Sequence, residues 1–157
     1  MSSPHQLTEN VKLLQKTAII VEDKVLILKR FAGDGYRAEK WDLPGGNVEW
    51  PEVDSDKRDL HQEEIVRELQ EETGISVLPN QFQTPVYMGT YFEKEKDLYT
   101  IIVGWSVRLT ERPAVNISPE HSEFTWISRE QLDSYDFGFA GEKEGFIRRT
   151  IEASFTH

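Results

Sequence analysis

The most constraining stretch of the chain runs from Gly45 to Ile75. It opens on a Gly-Gly pair, passes through a long acidic segment and closes on Gly74. Set residues 60–73 on a helix at about 100° per residue and two faces separate. Ile65, Val66 and Leu69 form an apolar side that has to be buried. Glu64, Glu68 and Glu71 gather on the opposite side, with Glu72 at the edge of that group and Arg67 one turn before Glu71. Like charges at i,i+4 each cost a few tenths of a kcal/mol. The stack is therefore either an ordinary solvated acidic face or a face that collects a cation. Hard divalent ions take oxygen ligands, and Mg²⁺ typically uses one or two carboxylates together with substrate phosphates.

The residue order narrows the choice. Arg67-Glu68-Leu69-Gln70-Glu71-Glu72-Thr73-Gly74-Ile75 follows Gly46 to Glu52 and the lead-in Trp41-Asp42-Leu43-Pro44-Gly45-Gly46. This resembles the Nudix box, Gly-x5-Glu-x7-Arg-Glu-U-x-Glu-Glu-x-Gly-U, where U is a bulky aliphatic residue. Every fixed position of the second half is filled. The departure lies in the spacer: fourteen residues separate Glu52 from Arg67, where the family pattern has seven. Two further turns of helix or a bulged loop would both absorb the extra residues. Asp59 stands eight before Arg67 and competes with Glu52 for the first acidic position; Glu52 keeps the distance from the glycine turn.

The resemblance implies an α/β/α sandwich with a mixed β-sheet and a central catalytic helix. It also implies hydrolysis of a nucleoside diphosphate linked to some group X, with Mg²⁺ or Mn²⁺. By position, Glu68, Glu71 and Glu72 would ligate metal with a carbonyl of Gly45 or Gly46. Arg67 would hold Glu71, and Glu52 would brace the cluster. Glu120, six residues before Trp126, is the candidate general base against Glu71 or Glu72, with Glu123 as fallback. His121 could serve as well, although a lone loop histidine is more often just surface. Arg30, Tyr36, Arg37 and Tyr91 are candidate substrate contacts: Tyr36 and Arg37 by stacking on a base, Arg30 by reaching a phosphate, Tyr91 by its distance beyond the box. For each of these four the plain alternative is a surface or strand side chain. The substrate expected first is a (deoxy)nucleoside triphosphate, as in MutT-like enzymes. Dinucleoside polyphosphates and nucleotide sugars come next. The rival of another class is a nucleotide-sensing module without turnover, which the intact set of Glu68, Glu71 and Glu72 disfavours.

Charge and composition bound the rest. The chain of 157 residues carries a formal charge of −10. Such a surface repels nucleic-acid polymers but tolerates small phosphate esters where cations mask its carboxylates. With no cysteine there is neither a disulfide framework nor a thiolate metal site. No apolar run approaches a membrane span and Met1 to Lys16 has no signal-type apolar region, so the cytoplasm is the default expectation. A homodimer would fit the family, although no segment marks an interface.

In order, one domain over residues 1–157 is expected. Residues 1–15 read as an arm or lead-in strand. Lys16 to Val21 and Val25 to Arg30 read as a hairpin too continuously apolar to face water on either side. A polar loop covers Phe31 to Lys40, and a short strand with a glycine turn covers Trp41 to Gly46. Asp54 or Ser55 is a candidate helix cap, and Gly74 a helix stop. Pro85 to Glu93 and Leu98 to Leu109 read as antiparallel partners across a charged turn. Phe124 to Ile127 reads as a short strand, Ser128 to Gln131 as a capping box, 136–145 as loop and Phe146 to Phe155 as an amphipathic helix. Together they predict a mixed sheet with helices on both sides.

Overall fold

The computed structural model describes residues 3–33, 35–50, 59–138 and 142–156, with backbone alone at residues 36 and 142–144. Among the described residues, seven strands form one mixed sheet: β1 (Val11–Val21), β2 (Lys24–Arg30), β3 (Trp41–Asp42), β4 (Gly45–Asn47), β5 (Tyr87–Glu93), β6 (Leu98–Leu109) and β7 (His121–Ser128). Helix α1 (Gln62–Thr73) covers one face and α2 (Glu142–Phe155) the other.

The alternation of side chains along the strands builds two cores. Ala18, Ile20, Val25, Ile27 and Ile102 pack with Phe146, Ile147 and Ile151 of α2. Their sequence neighbours Ile19, Leu26, Leu28 and Val103 pack with Ile65 and Leu69 of α1, around an edge-to-face pair of Phe82 and Trp105. Both faces of the central strands are thus dry, which is why those strands show no polar alternation.

Strand β1 decides where the site lies. Along its whole length it runs parallel to β6, from Val11 opposite Tyr99 to Val21 opposite Leu109. On its other side it changes partner. Ile20 and Val21 pair with β2, whereas Leu14, Gln15 and Lys16 pair with Asn47, Gly46 and Gly45 of β4. The change occurs at Thr17, whose N–H donates to the Pro44 carbonyl. The glycine pair of the sequence motif sits at this split. Gly45 has φ 145°, and a Cβ there would run into the Gln15 backbone, so no larger residue fits.

Several expected boundaries move. The lead-in to the first strand belongs to it, because residues 11–15 hydrogen-bond to β6 and β4. Helix α1 starts at Gln62 after His61 in a left-handed conformation, with the His61 N–H donating to the Asp59 carboxylate. The lengthened helix is therefore closed off before residue 61. Asp54, Ser55 and Glu52 lie outside the described residues. Gly74 ends α1 as expected, at φ 74° with its N–H on the Gln70 carbonyl. Strand β7 begins at His121, not Phe124, because a bulge at Ser122 of β7 lets His121 pair with Arg30 of β2. The Ser128–Gln131 box opens a 3₁₀ turn over Arg129–Ser134. Helix α2 starts at Glu142, inside the stretch expected to be loop.

Candidate active site

Two polar groups flank the β1–β4 junction, one on each face of the sheet. On the α1 side, Arg67 fans across the helix surface. One terminal nitrogen donates to both oxygens of Glu71 at 3.0 Å; the other reaches Glu64 at 2.9 Å and Glu68 at 3.3 Å. The planar fork of an arginine suits this bidentate grip. Glu68 lies under the glycine turn, its carboxyl carbon 3.0 Å from where a Cβ on Gly46 would stand. Burial pushes its pKa above the ordinary range, with the neighbouring Glu71 and Glu120 adding to the rise and Arg67 and Lys16 opposing it.

Glu72 behaves differently from its helical neighbours. It lies one turn beyond Leu69 on the packed side and is only 7% exposed. Its carboxylate accepts the Gly45 N–H at 2.7 Å. Burial raises its pKa to about 8, against the pull of Lys16 and of the Gly45 hydrogen bond. The loop that follows β6 is tied to the same helix end, for the Asn116 N–H donates to the Thr73 carbonyl and the Ser118 N–H to that of Glu72. This tether brings Glu120 and His121 to Glu72, so that one ligand atom from each lies within 4.8 Å of the other two. Two carboxylates and an imidazole form a donor set that suits Mg²⁺ or Mn²⁺, with the nitrogen favouring the latter. A carboxylate reluctant to ionise without company also fits a cation site.

On the α2 side, Asp42 is 1% exposed and gathers three cations on one oxygen. Lys16 Nζ and an Arg30 nitrogen stand at 3.0 Å, and an Arg37 nitrogen at 3.3 Å. The other oxygen accepts the Leu43 N–H at 2.7 Å. Burial alone would raise the Asp42 pKa, but Lys16, Arg37 and Arg30 together hold it below the ordinary carboxylate range. These residues, with Lys12, Asn47, Phe146 and Ile147, line a cleft of about 180 Å³.

The expected residues are distributed as follows. Glu72 and Glu120 meet, and Glu68 lies close by beneath Gly46. Glu71 is exposed and held by Arg67, outside the Glu72–Glu120–His121 group. Gly45 meets Glu72 through its N–H. Arg30 and Arg37 converge in the cleft, whereas Tyr91 packs half-buried against the α2-side core. The side chain of Tyr36 and all of Glu52 lie outside the described residues. Glu123 is exposed and pairs with Lys29 at 3.8 Å. His121, expected on the surface, is 6% exposed because it opens β7. Lys12, Lys16, Asp42 and Asn47 escaped the sequence reading. The available signal was a lysine beside a glutamine inside a strand otherwise fit for burial.

The NUDIX domain family model matches residues 15–150. Among solved structures, a MutT protein from Methanosarcina mazei Go1 is 25% identical over 91% of this chain and 94% of its own, with a TM-score of 0.64. A MutT NUDIX hydrolase from Burkholderia pseudomallei is 18% identical over 92% of this chain and 98% of its own, with a TM-score of 0.63. An ADP-ribose pyrophosphatase from Streptococcus suis 89-1591 is 23% identical over 91% of each chain, with a TM-score of 0.58. No curated protein sequence matches the chain.

Proposed function

The chain belongs to the NUDIX family and is a pyrophosphohydrolase of that family; from that premise we propose that it cleaves the pyrophosphate linkage of a (deoxy)nucleoside triphosphate with Mg²⁺ or Mn²⁺. The observation that carries this reading is the juxtaposition at the β1–β4 junction of a cation-seeking carboxylate cluster with a basic cleft. Glu72 and Glu120, with the His121 imidazole and with Glu68 close by, would hold the cation. The bound ion would supply Lewis-acid charge to the scissile phosphates.

The protein's own part is positioning and charge. Glu120 is the exposed member of the cluster and the candidate base. It would take a proton from the attacking water as the new P–O bond forms and the bridging P–O bond breaks. Arg67 acts through the helix: by gripping Glu64, Glu68 and Glu71 it fixes the carboxylates without reaching substrate. Glu71 would join the ion only by leaving Arg67. The Gly45 N–H orients Glu72.

A panel of nucleotides with Mg²⁺, scored for released phosphate or pyrophosphate, tests the reading. Turnover should appear for a triphosphate and fall sharply in Glu72→Gln and Glu71→Gln with the fold intact. Undiminished rates in both variants would remove the carboxylate cluster from the chemistry.

A further inference from the structure

We propose that the outer edge of β5 docks a second copy of this chain, the two β5 strands pairing antiparallel about a two-fold axis at Thr90. Among the described residues, β5 has β6 as its one neighbour in the sheet, and no described strand lies along its other edge. An edge strand is a template for further pairing, and natural sheets blunt it with charge, proline or a bulge. The two outer strands differ in this respect. β7 pairs with β2 alone, and it carries a bulge at Ser122 with the exposed Glu123 beside it. β5 keeps an unbroken register with β6 from Tyr87 to Glu93, and Tyr87 to Phe92 contain neither a charge nor a proline. Each chain carries a net charge of −10, so two copies repel over most of their surface. The uncharged strip is where they can meet.

The strand is complementary to itself. Directly opposed residues of an antiparallel pair share a face, so a two-fold pairing centres on one residue, and Thr90 is the middle of Tyr87–Glu93. Tyr87 and Tyr91 pack against the α2-side core, which leaves Met88, Thr90 and Phe92 on the α1 side. Met88, 63% exposed, then lies opposite the partner's Phe92 and gains an aromatic ring for its thioether. Thr90 meets the partner's Thr90, a favourable cross-strand pair. On the α2 side Tyr87 meets the partner's Glu93. Arg149 of α2 donates to the Tyr87 hydroxyl at 3.2 Å, so its positive charge stands beside the incoming carboxylate. Glu93 keeps Lys96 at 3.3 Å, and Arg149 keeps Tyr87; the attraction is between charges and asks for no spare donor. The two-fold axis repeats it at the other end of the pair.

Sedimentation equilibrium of the full chain is the test. Twice the chain mass should appear as concentration rises to about 0.2 mM. Met88→Lys and Glu93→Arg should each weaken the dimer about tenfold, and Glu93→Arg combined with Arg149→Glu should recover it, with folding checked by circular dichroism. The chain has no cysteine, so Thr90→Cys sets a single thiol on the two-fold axis. A short bismaleimide should link two copies of that variant and leave Glu130→Cys, beyond β7 at the opposite edge, unlinked. A chain that stays monomeric throughout overturns the proposal. So does a dimer indifferent to both Met88→Lys and Glu93→Arg, which would be built on another face. Open-ended assembly would also overturn it, because a two-fold pair uses up the edge of both copies. A charge swap without recovery, or no link through Thr90→Cys, would overturn the register.

Discussion

Asp42 and Glu72 are both buried carboxylates, 1% and 7% exposed, on opposite faces of the same strand junction. Their acidities move in opposite directions. Asp42 is held below its ordinary value, and Glu72 is pushed up to about 8. Each has lost its water, so desolvation drives both upward. Neighbours decide the outcome. Asp42 has three cations on one oxygen; Glu72 has one backbone N–H and the field of a lysine that is spent on Asp42. One carboxylate is neutralised within the fold, and the other, on the function proposed above, would await a cation that folding alone does not supply.

Neutralising each carboxylate in turn is the strongest way to break this contrast. Asp42→Asn leaves Lys16, Arg30 and Arg37 clustered around a neutral amide. Removing one partner of a buried charge group costs about 3–5 kcal/mol, and urea unfolding should show a loss of that order. Glu72→Gln should raise metal-free stability at neutral pH, since the unfolded chain then no longer gains by ionising at a position where the folded chain holds its proton. Its cost should appear as a hydrolysis rate down by about 10²–10³-fold. Equal destabilisation by the two substitutions would erase the distinction.

The pH dependence of stability sharpens it. Glu72 has a folded value of about 8 against an ordinary 4.5. Between those values the unfolded chain has released a proton that the folded chain retains. Metal-free stability should therefore fall as pH rises from about 4.5 to 8, by an amount on the order of a few kcal/mol. The Asp42 contribution has the opposite sign. It is present above the ordinary value of 3.8 and is lost as pH falls through the lower folded value. Denaturant midpoints across this range should bend both ways, and Glu72→Gln should flatten the alkaline limb. Added Mn²⁺ should restore stability at pH 8 by mass action on the folded state. An alkaline limb that survives in Glu72→Gln would assign it to another group.

The same contrast explains what could be read from the sequence. The α1 side was legible because its chemistry is local: a helix repeat, a glycine stop and a motif of fixed spacing place Arg67, Glu68, Glu71 and Glu72 together. The strands were legible because β1, β2 and β6 are apolar enough to demand burial. The α2-side cleft was hidden because its members come from β1, β2, β3, β4 and α2, and nothing in their spacing joins Lys16 to Asp42. His121 was misread for the same reason: it pairs with Arg30 of β2 across a bulge at Ser122 of β7, which no local pattern announces. The helix start was missed because His61 adopts a left-handed conformation at a position that carries no cap residue.

Arg67 offers a smaller effect. It is a third exposed, so its ion pairs contribute within about 1 kcal/mol to stability. Arg67→Lys keeps the charge but loses the fork that grips Glu71 with one nitrogen and Glu64 and Glu68 with the other. Activity should fall about tenfold, with a melting temperature changed by no more than a few degrees. A lysine variant of full activity would mean that the carboxylates hold their places unaided.

The smallest expected effect comes from Gly46, and it sets that position apart from the adjacent Gly45. At Gly45 a side chain would meet the immovable Gln15 backbone at φ 145°, so alanine there should prevent the β1–β4 pairing. At Gly46 the obstacle is the Glu68 carboxylate at 3.0 Å, the far end of a flexible side chain. Glu68 can swing aside, and Gly46→Ala should cost less than about 1 kcal/mol of stability. The displaced carboxylate is the one beside the cation cluster, so the cost should fall on metal affinity. Calorimetric titration with Mn²⁺ should show weaker binding in Gly46→Ala at nearly wild-type unfolding free energy. If affinity is unchanged while Glu68 has moved, Glu68 does not serve the cation, and Glu72 with Glu120 and His121 carries the site.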